Sequence, residues 1–169
     1  RWCLETILMR QLLAIALLLT CLPAFGQRYT QAFATITDLL ASNPRTVNTN
    51  AVVLGRDSAN DGGGGNFYYN ATSSATTNKG TIFKPNSYSG RWFRVADPFE
   101  VNAAWFGAIP DDGLDDSVAI QAAMDYCYSQ KRGTVHLNGG LYHLNSSLYA
   151  PHRVNLVGAH GWKFTELAS

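Results

Sequence analysis

The stretch that decides the fold is WFGAIPDDGLDDSVAIQAAMD, from Trp105 to Asp125. It places four aspartates within six residues around Gly113, and apolar residues at helical spacing follow. Gly113 permits a tight turn. Asp115 or Asp116 can accept hydrogen bonds from the unpaired N–H groups at the start of a helix, where negative charge also complements the helix dipole. We therefore predict a turn and a capped helix start.

Two chemical interpretations compete with this structural one. A calcium-binding EF-hand loop needs oxygen ligands at its first, third and fifth positions, Gly at the sixth and Glu at the twelfth, and DDGLDD does not satisfy that order. Paired carboxylates for glycoside cleavage lie on either side of a sugar, several ångströms apart. The aspartates of one local turn have no such partner in the sequence, so turn formation is the favoured interpretation.

The residues after the aspartates predict one helix and three strands. Ser117 to Gln130 places Ile120, Ala123, Met124 and Cys127 on one helical face, and Lys131-Arg132-Gly133 is a typical helix end. Three short strand-like runs follow, separated by turns: GTVHLN, GLYHLNS and RVNLVGA. Strand, tight turn, strand, corner and strand are the order of one coil of a β-solenoid.

A different pattern precedes Phe99. Residues 30–42 have helical spacing and end at Asn43-Pro44. Four β-like runs come next, TNAVVLG, NFYYN, GTIFKP and GRWFRV, separated by turn-rich segments. The unit after Phe99 begins with the strand-like run VNAAWFGA. The sequence thus predicts a small antiparallel β-domain over residues 27–98 and a second unit over residues 99–169.

From Trp105 to Gly161 the chain resembles the opening of the pectate-lyase-like superfamily of right-handed parallel β-helices. The resemblance rests on an F-G-A strand, the acidic turn, the helix AIQAA, a G-T-V strand, G-x-Y and a strand ending in L-x-G. Ser117 stands where Thr is commoner, and His136 where an aromatic or aliphatic residue is usual. The preceding unit is similar to a small β-domain found before such β-helices in tail-fibre-like and secreted bacterial proteins.

The resemblance implies a mainly β protein, in which a small β-domain precedes the capping helix and first coil of a right-handed single-stranded parallel β-helix. It also implies that the full-length protein acts on a polysaccharide, as a lyase or a glycoside hydrolase. The alternative is a non-catalytic glycan-binding or tailspike-like adhesin. Catalytic residues of this family lie on later coils, so we expect an N-terminal fragment that is itself inactive. Analogy with tailspike relatives suggests a homotrimer.

The N-terminal residues predict secretion. Residues 9–27, MRQLLAIALLLTCLPAFGQ, have the basic start, apolar stretch and small residues of a bacterial signal peptide cleaved after Gly26. A buried helix and a lipoprotein modified at Cys21 are alternatives, although Thr20 fits a lipoprotein poorly. Residues 1–8 resemble upstream sequence translated in frame. We expect a periplasmic, cell-surface or extracellular protein with no membrane span after cleavage, since a span takes about 20 apolar residues.

Composition narrows the partners further. The apolar fraction, 46%, suffices for a core, and the formal net charge of +1 comes without a basic stripe, which argues against a nucleic-acid partner. After removal of the leader only Cys127 remains, so no intrachain disulfide is possible. Cys127 lies in the predicted helix, where a packed small hydrophobe is favoured over a reactive thiol.

The remaining candidates favour structural roles. The glycine run Gly62–Gly65 lacks the Lys-Ser/Thr of a phosphate-binding loop, and the histidines fit no zinc pattern. The tryptophans could stack on sugars, but core packing is favoured for those in strand-like runs. The sequons Asn70-Ala71-Thr72 and Asn145-Ser146-Ser147 carry no meaning in a bacterial protein. We therefore assign no catalytic, cofactor-binding or metal-binding residue and expect no cofactor; the residues weighed are His136, His143, His152, His160, Trp92, Trp105 and Trp162.

Overall fold

The computed structural model describes residues 30–44 and 49–159. The predicted signal peptide over residues 9–26, the extension over residues 1–8, His160 and Trp162 lie outside these ranges. The elements, in chain order, are β1 (Thr30–Phe33), α1 (Ile36–Ala41), β2 (Asn50–Val53), β3 (Gly65–Asn70), β4 (Ile82–Phe83), β5 (Arg91–Arg94), β6 (Glu100–Asn102), a 3-10 turn (Ala103–Trp105), α2 (Ser117–Ser129), β7 (Gly133–Leu137) and β8 (Val154–Gly158).

The first five strands form one sheet in the order β1-β2-β3-β5-β4. All pairs are antiparallel except β1 with β2, which is parallel. Alternation along β3 buries Phe67 and Tyr69 and exposes the residues between them, as expected for a sheet with one buried face. The buried face packs against α1 in a core of eight buried side chains: Ile36, Leu39, Ala51, Val53, Phe67, Tyr69, Phe83 and Trp92.

The helix predicted over residues 30–42 is wrong in its first part. Thr30–Phe33 is a strand, because its backbone pairs with β2 in the register Thr30 to Asn50. The helix begins only at Ile36, where a capping box fixes its start: the Thr35 hydroxyl accepts the Asp38 N–H at 3.2 Å, and the Asp38 carboxylate accepts the Thr35 N–H at 3.0 Å. Helical spacing alone did not separate these two elements.

The last three strands form a parallel sheet in the order β6-β7-β8. Val101, Val135 and Leu156 lie opposite one another on its inner side, and the first two are fully buried. Helix α2 covers this side with the face that the sequence predicted, since Ile120, Ala123, Met124 and Cys127 are all buried against it. Stacked parallel strands with a helix over the first coil confirm the predicted start of a solenoid.

Two of the predicted strands differ in extent. VNAAWFGA is a strand only at Glu100–Asn102, because a 3-10 turn follows and the Asn102 side chain accepts the Ala104 N–H at 2.9 Å. The run GLYHLNS pairs with the backbone of the chain at one bridge, Asp115 with His143. The backbone N–H groups of Asp111 and Asp116 donate to the carbonyl oxygens of Leu141 and His143, and the other partners are side chains of residues 111–117.

Candidate functional site

Asp116 ties the aspartate-rich turn, residues 110–117, to the segment that follows β7. It is 2% exposed, and its carboxylate accepts the N–H of Ile109 at 3.0 Å and the N–H of His143 at 2.9 Å. Its own N–H donates to the His143 carbonyl at 2.8 Å. Asp116 is the N-cap residue of α2, but its side chain makes no capping bond. Of the two aspartates predicted as acceptors at the helix start, Asp116 is therefore not the one that acts there, because its carboxylate accepts other N–H groups.

Asp115 supplies the acceptor at the helix start instead. Its carboxylate accepts the Ser117 N–H at 3.0 Å and the Ser117 hydroxyl at 2.6 Å, and it also accepts the Asn145 N–H at 3.1 Å. The hydrogen bond from the Ser117 hydroxyl, followed by those from the two backbone N–H groups, lowers the pKa of Asp115. The predicted acceptor at the start of α2 is confirmed for this residue.

Three carboxylates of the turn together replace the backbone of a neighbouring strand. The N–H groups of Leu141, His143 and Asn145 point the same way, as alternate residues of an extended segment do. Each donates to an aspartate side chain, and for Leu141 the acceptor is Asp111 at 3.0 Å. The three carboxylates thus pair with backbone donors of residues 141–145.

In the loop before the glycine run, backbone N–H groups surround the Asp61 carboxylate. The Asp61 carboxylate accepts four backbone N–H groups at 2.8–2.9 Å, from Arg56, Asp57, Ser58 and Gly63. Burial by itself raises the pKa of Asp61, but these four donors outweigh it and hold the pKa below its ordinary value. The Gly63 N–H, one donor of the glycine run, is used in this way, and the surrounding turns agree with the loop predicted there.

The glycine run also touches the solenoid. A Cβ at Gly62 would lie 2.3 Å from Asn138 Nδ2, and one at Gly63 would lie 2.7 Å from the Ala104 carbonyl oxygen. Real Cβ atoms do not approach so closely, so only glycine permits this contact between the two units. The run is therefore a packing surface.

Arg94 strengthens the same contact. Its guanidinium donates to the carbonyl oxygens of Gly63 and Gly80 at 2.8 and 3.0 Å, and it lies between the rings of Phe67 and Trp105 at 4.6 and 4.7 Å. Burial, and next the charge of Arg56, lower the pKa of Arg94 to about 9, which leaves it charged at neutral pH. A cation between one ring from each unit joins the two units.

Arg56 makes a second connection, since its Nη1 donates to the carbonyl oxygens of Lys79 at 2.7 Å and Trp105 at 2.6 Å. Both arginines therefore satisfy carbonyl groups on the two sides of the contact. The sequence analysis did not single out either residue. The only signal available was the placement of Arg94 at an inward position of an alternating strand.

The outer side of the parallel sheet carries polar side chains. Glu100 and His136 form a hydrogen-bonded pair, with 2.5 Å between Oε2 and Nε2, and both side chains are about half exposed. Beside them the Asn102 amide donates to Asn138 Oδ1 at 2.8 Å. We call these four residues the outer polar row. Amide, imidazole and carboxylate groups can bind sugar hydroxyls.

Sequence reasoning missed the outer polar row as a unit. Alternation along EVN and TVHLN predicts that each residue lies on the outer side of its strand. The pairing of Glu100 with His136 depends in addition on the register of β6 with β7. His136 was judged an ordinary histidine. It is half-buried on the sheet surface with a carboxylate partner.

The other candidates are placed as follows. Trp92 is fully buried in the small-domain core, and Trp105 is half-buried beneath Arg94 against the solenoid core, so core packing is confirmed for both. His143 is half-buried at the bridge, whereas His152 is exposed with its ring 5.4 Å from that of Tyr128. Cys127 is buried, and burial raises the pKa of its thiol to about 11, as suits a packed small hydrophobe.

Within residues 30–44 and 49–159, no group of three or more His, Cys, Asp or Glu side chains is arranged to hold a metal ion. Nor does this part of the chain contain a helix of the length and hydropathy needed to cross a membrane.

Two families match the chain side by side. Residues 32–97 match the family described as the phage tail protein small four-stranded beta-sheet domain. Residues 100–169 match the family described as rhamnogalacturonase A/epimerase, pectate lyase-like.

Parts of this chain are similar to parts of known proteins. Over 51 residues the chain is 43% identical to the mannuronan C5-epimerase AlgE1 of Azotobacter vinelandii, a match that covers 30% of this chain and 4% of the relative. The tailspike gp49 of Acinetobacter baumannii bacteriophage Fri1, a capsular polysaccharide depolymerase, is similar with a TM-score of 0.67 and 19% identity, over 76% of this chain and 23% of that one.

A bacterial structure is similar as well. The glycan biofilm modifying enzyme WceF of Pantoea stewartii, which has a tailspike-like parallel beta-helix fold, gives a TM-score of 0.53 and 22% identity, over 66% of this chain and 17% of that one. The chain therefore spans less than a quarter of the length of each of these relatives. Stacked parallel strands and the helix over the first coil agree with the family match, and residues 100–169 are similar to pectate-lyase-like parallel β-helix proteins.

Proposed function

We propose that this chain is the N-terminal portion of a longer secreted protein that acts on a polysaccharide. The observation that carries the proposal is the order of two units, a phage-tail-type small β-domain followed directly by a pectate-lyase-like solenoid start. Relatives with this solenoid are named as a polysaccharide depolymerase and a glycan-modifying enzyme. We further propose that the units divide near Pro98, and that residues 9–26 direct secretion.

Three classes of reaction on a polysaccharide are candidates. Lyase and glycoside hydrolase were the reactions implied by the family resemblance, and the identity with a mannuronan epimerase adds a third, which inverts a sugar without cleaving the chain. We place the chemistry on coils beyond the first. The outer polar row would then be the first part of the surface on which a glycan binds.

The test is an assay of the complete protein from the gene on alginate, polygalacturonate and capsular polysaccharides. Ultraviolet absorbance of unsaturated products reports a lyase, new reducing ends without that absorbance report a hydrolase, and a changed proton NMR spectrum with unchanged chain length reports an epimerase. The 169-residue chain is the matched control and should be inactive. Absence of all three signals on the whole substrate panel would contradict an enzymatic role.

A second candidate is a non-catalytic adhesin. The match of residues 32–97 to a phage tail protein domain favours it, because such a domain belongs to an attachment apparatus. Glycan binding by the complete protein without turnover would support this candidate. A homotrimer stays a prediction from the family resemblance, and multi-angle light scattering of the complete protein tests it.

A further inference from the structure

A groove in the small domain lies away from both the aspartate-rich turn and the outer polar row. It has a volume of about 570 Å³ and lies where β3 ends and β5 begins. This volume is in the range of about 300–1,000 Å³ that small-molecule sites occupy. No role has been assigned to it above.

The lining of this groove is cationic and rich in hydroxyl groups. Lys84 and Arg91 are its charged residues, and no aspartate or glutamate lines it. Neither cation forms an ion pair with any residue in the described parts of the chain. Hydroxyl groups surround them, from Thr72, Ser73, Ser74, Ser87 and Ser89.

Tyr88 gives the groove an aromatic side. Its side chain is 39% exposed, so a ring face is open to solvent. Aromatic faces accept the apolar C–H side of a sugar ring, while hydroxyl groups and cations hold its polar edge. The combination selects for a sugar that carries a negative charge.

The backbone of the groove is fixed, which keeps these groups in place. Arg91 donates from Nε to the Ala75 carbonyl and from Nη1 to the Gly90 carbonyl, both at 2.6 Å. The Tyr69 hydroxyl donates to the Ser89 carbonyl from beneath. A preformed lining costs less ordering on binding than a flexible one.

Beyond the groove, the outer face of the small sheet carries aromatic side chains. Residues two apart in a strand point to the same side, so Arg91 and Phe93 share that face. Phe93 stacks on Tyr68 with 5.2 Å between ring centroids and 14° between planes, and Tyr68 is 42% exposed. A stacked aromatic pair next to a cationic groove is suited to a ligand longer than one sugar.

We propose that this groove binds a segment of an acidic polysaccharide, with Lys84 and Arg91 holding a sugar carboxylate and Tyr88 stacking on the ring. The proposal deepens the proposed polysaccharide function and rests on it for the class of ligand. The groove is a binding subsite that keeps substrate near the solenoid, and it takes no part in bond cleavage.

The experiment is titration calorimetry of the 169-residue chain with oligogalacturonate and with oligomannuronate at low and high salt. Methyl-esterified oligogalacturonate, which has the same sugars without charge, is the matched probe. We expect binding of at least one acidic oligosaccharide, weakening in high salt because charge drives it. The esterified probe should bind at least about fivefold more weakly.

Variants locate the site. Lys84→Gln and Tyr88→Ala should each weaken binding by about fivefold. Lys79→Gln removes the same charge from an exposed position of the same domain outside the groove, and it should change affinity less than about twofold. Lys84 and Tyr88 are exposed, so both variants should retain the wild-type circular dichroism spectrum.

Three results would overturn the proposal: no binding of either acidic oligosaccharide, equal binding of the esterified probe, or equal weakening by Lys79→Gln and Lys84→Gln. Failure of the proposed function is visible separately, because turnover is measured on the complete protein. If the complete protein cleaves an acidic glycan but this chain binds none, the binding role of the groove is refuted and the proposed function is not.

Discussion

At the scale of single residues, the aspartates of the turn act as substitutes for backbone carbonyl groups. Asp116 illustrates the cost of such a role, because its carboxylate is buried and burial raises its pKa, partly offset by the N–H groups of His143 and Ile109. Position 116 requires a side chain of this shape that carries two acceptor oxygens. Alanine supplies neither.

We expect Asp116→Ala to lower the free energy of unfolding by about 2–4 kcal/mol, because two N–H groups lose their acceptors. Asp112→Ala is the matched control, since this carboxylate is exposed and accepts only the Leu114 N–H within its own turn. That change should cost less than about 1 kcal/mol. Urea denaturation of both variants measures the difference, and equal losses would contradict a bridging role for Asp116.

Asp61 predicts a pH dependence. Its folded pKa lies below its ordinary value of 3.8, so its contribution to stability is fully present above that pH and is lost as the pH falls through the folded pKa. Asp61→Asn should destabilise the protein at neutral pH, because an amide group would face the Asp57 and Ser58 N–H donors. The difference from wild type should shrink in acid.

Urea unfolding of Asp61→Asn and wild type at a series of pH values from neutral to acid measures this difference. Asp57→Asn is the control, because its exposed carboxylate accepts no backbone N–H among the described residues. A constant difference between Asp61→Asn and wild type across the acid range would show that charge on Asp61 contributes nothing.

At the scale of elements, local chemistry decided what the sequence could predict. Strands β2 to β5 and helix α2 were predicted because alternation, turn residues and helical spacing all agree with the fold. Strand β1 was missed, because four residues with helical spacing pair with β2 instead. The strand-like run GLYHLNS forms only one bridge, because side chains of the turn accept many of its N–H groups, which strand propensities do not describe.

The glycine run is a second element with a non-local reason. A Cβ at Gly63 would lie 2.5 Å from the Arg56 Cβ and 2.7 Å from the Ala104 oxygen, so Gly63→Ala should lower stability by about 2 kcal/mol. Gly139→Ala is the matched control, because nothing lies within 4 Å of its added Cβ. Thermal unfolding compares the two, and a Gly63→Ala variant as stable as Gly139→Ala would refute close packing here.

At the scale of the whole molecule, the two units are joined through Arg94. Its position was predictable as an inward residue of β5, but its second ring partner, Trp105, comes from the other unit and was not. Coupling of this kind predicts one unfolding transition for wild type, coincident by fluorescence and by far-ultraviolet circular dichroism.

Arg94→Met should lower stability by about 3 kcal/mol, since carbonyl groups of Gly63 and Gly80 lose their donor and the ring contacts lose their cation. The two spectroscopic transitions should then separate. Arg132→Met is the control, because Arg132 is exposed and lies over the ring of Phe99, which belongs to the same unit. Coincident transitions in Arg94→Met would mean that the units are coupled by other contacts.

The contact of Gly62 and Gly63 with Ala104 and Asn138 has an evolutionary consequence. At the two glycines the facing atoms are the Ala104 carbonyl oxygen and methyl group and the Asn138 amide, and Arg94 adds a contact with the Trp105 ring. Recombination can transfer a β-domain that docks in this way to other solenoids, provided that they present a small residue, an amide and an aromatic ring at the matching positions.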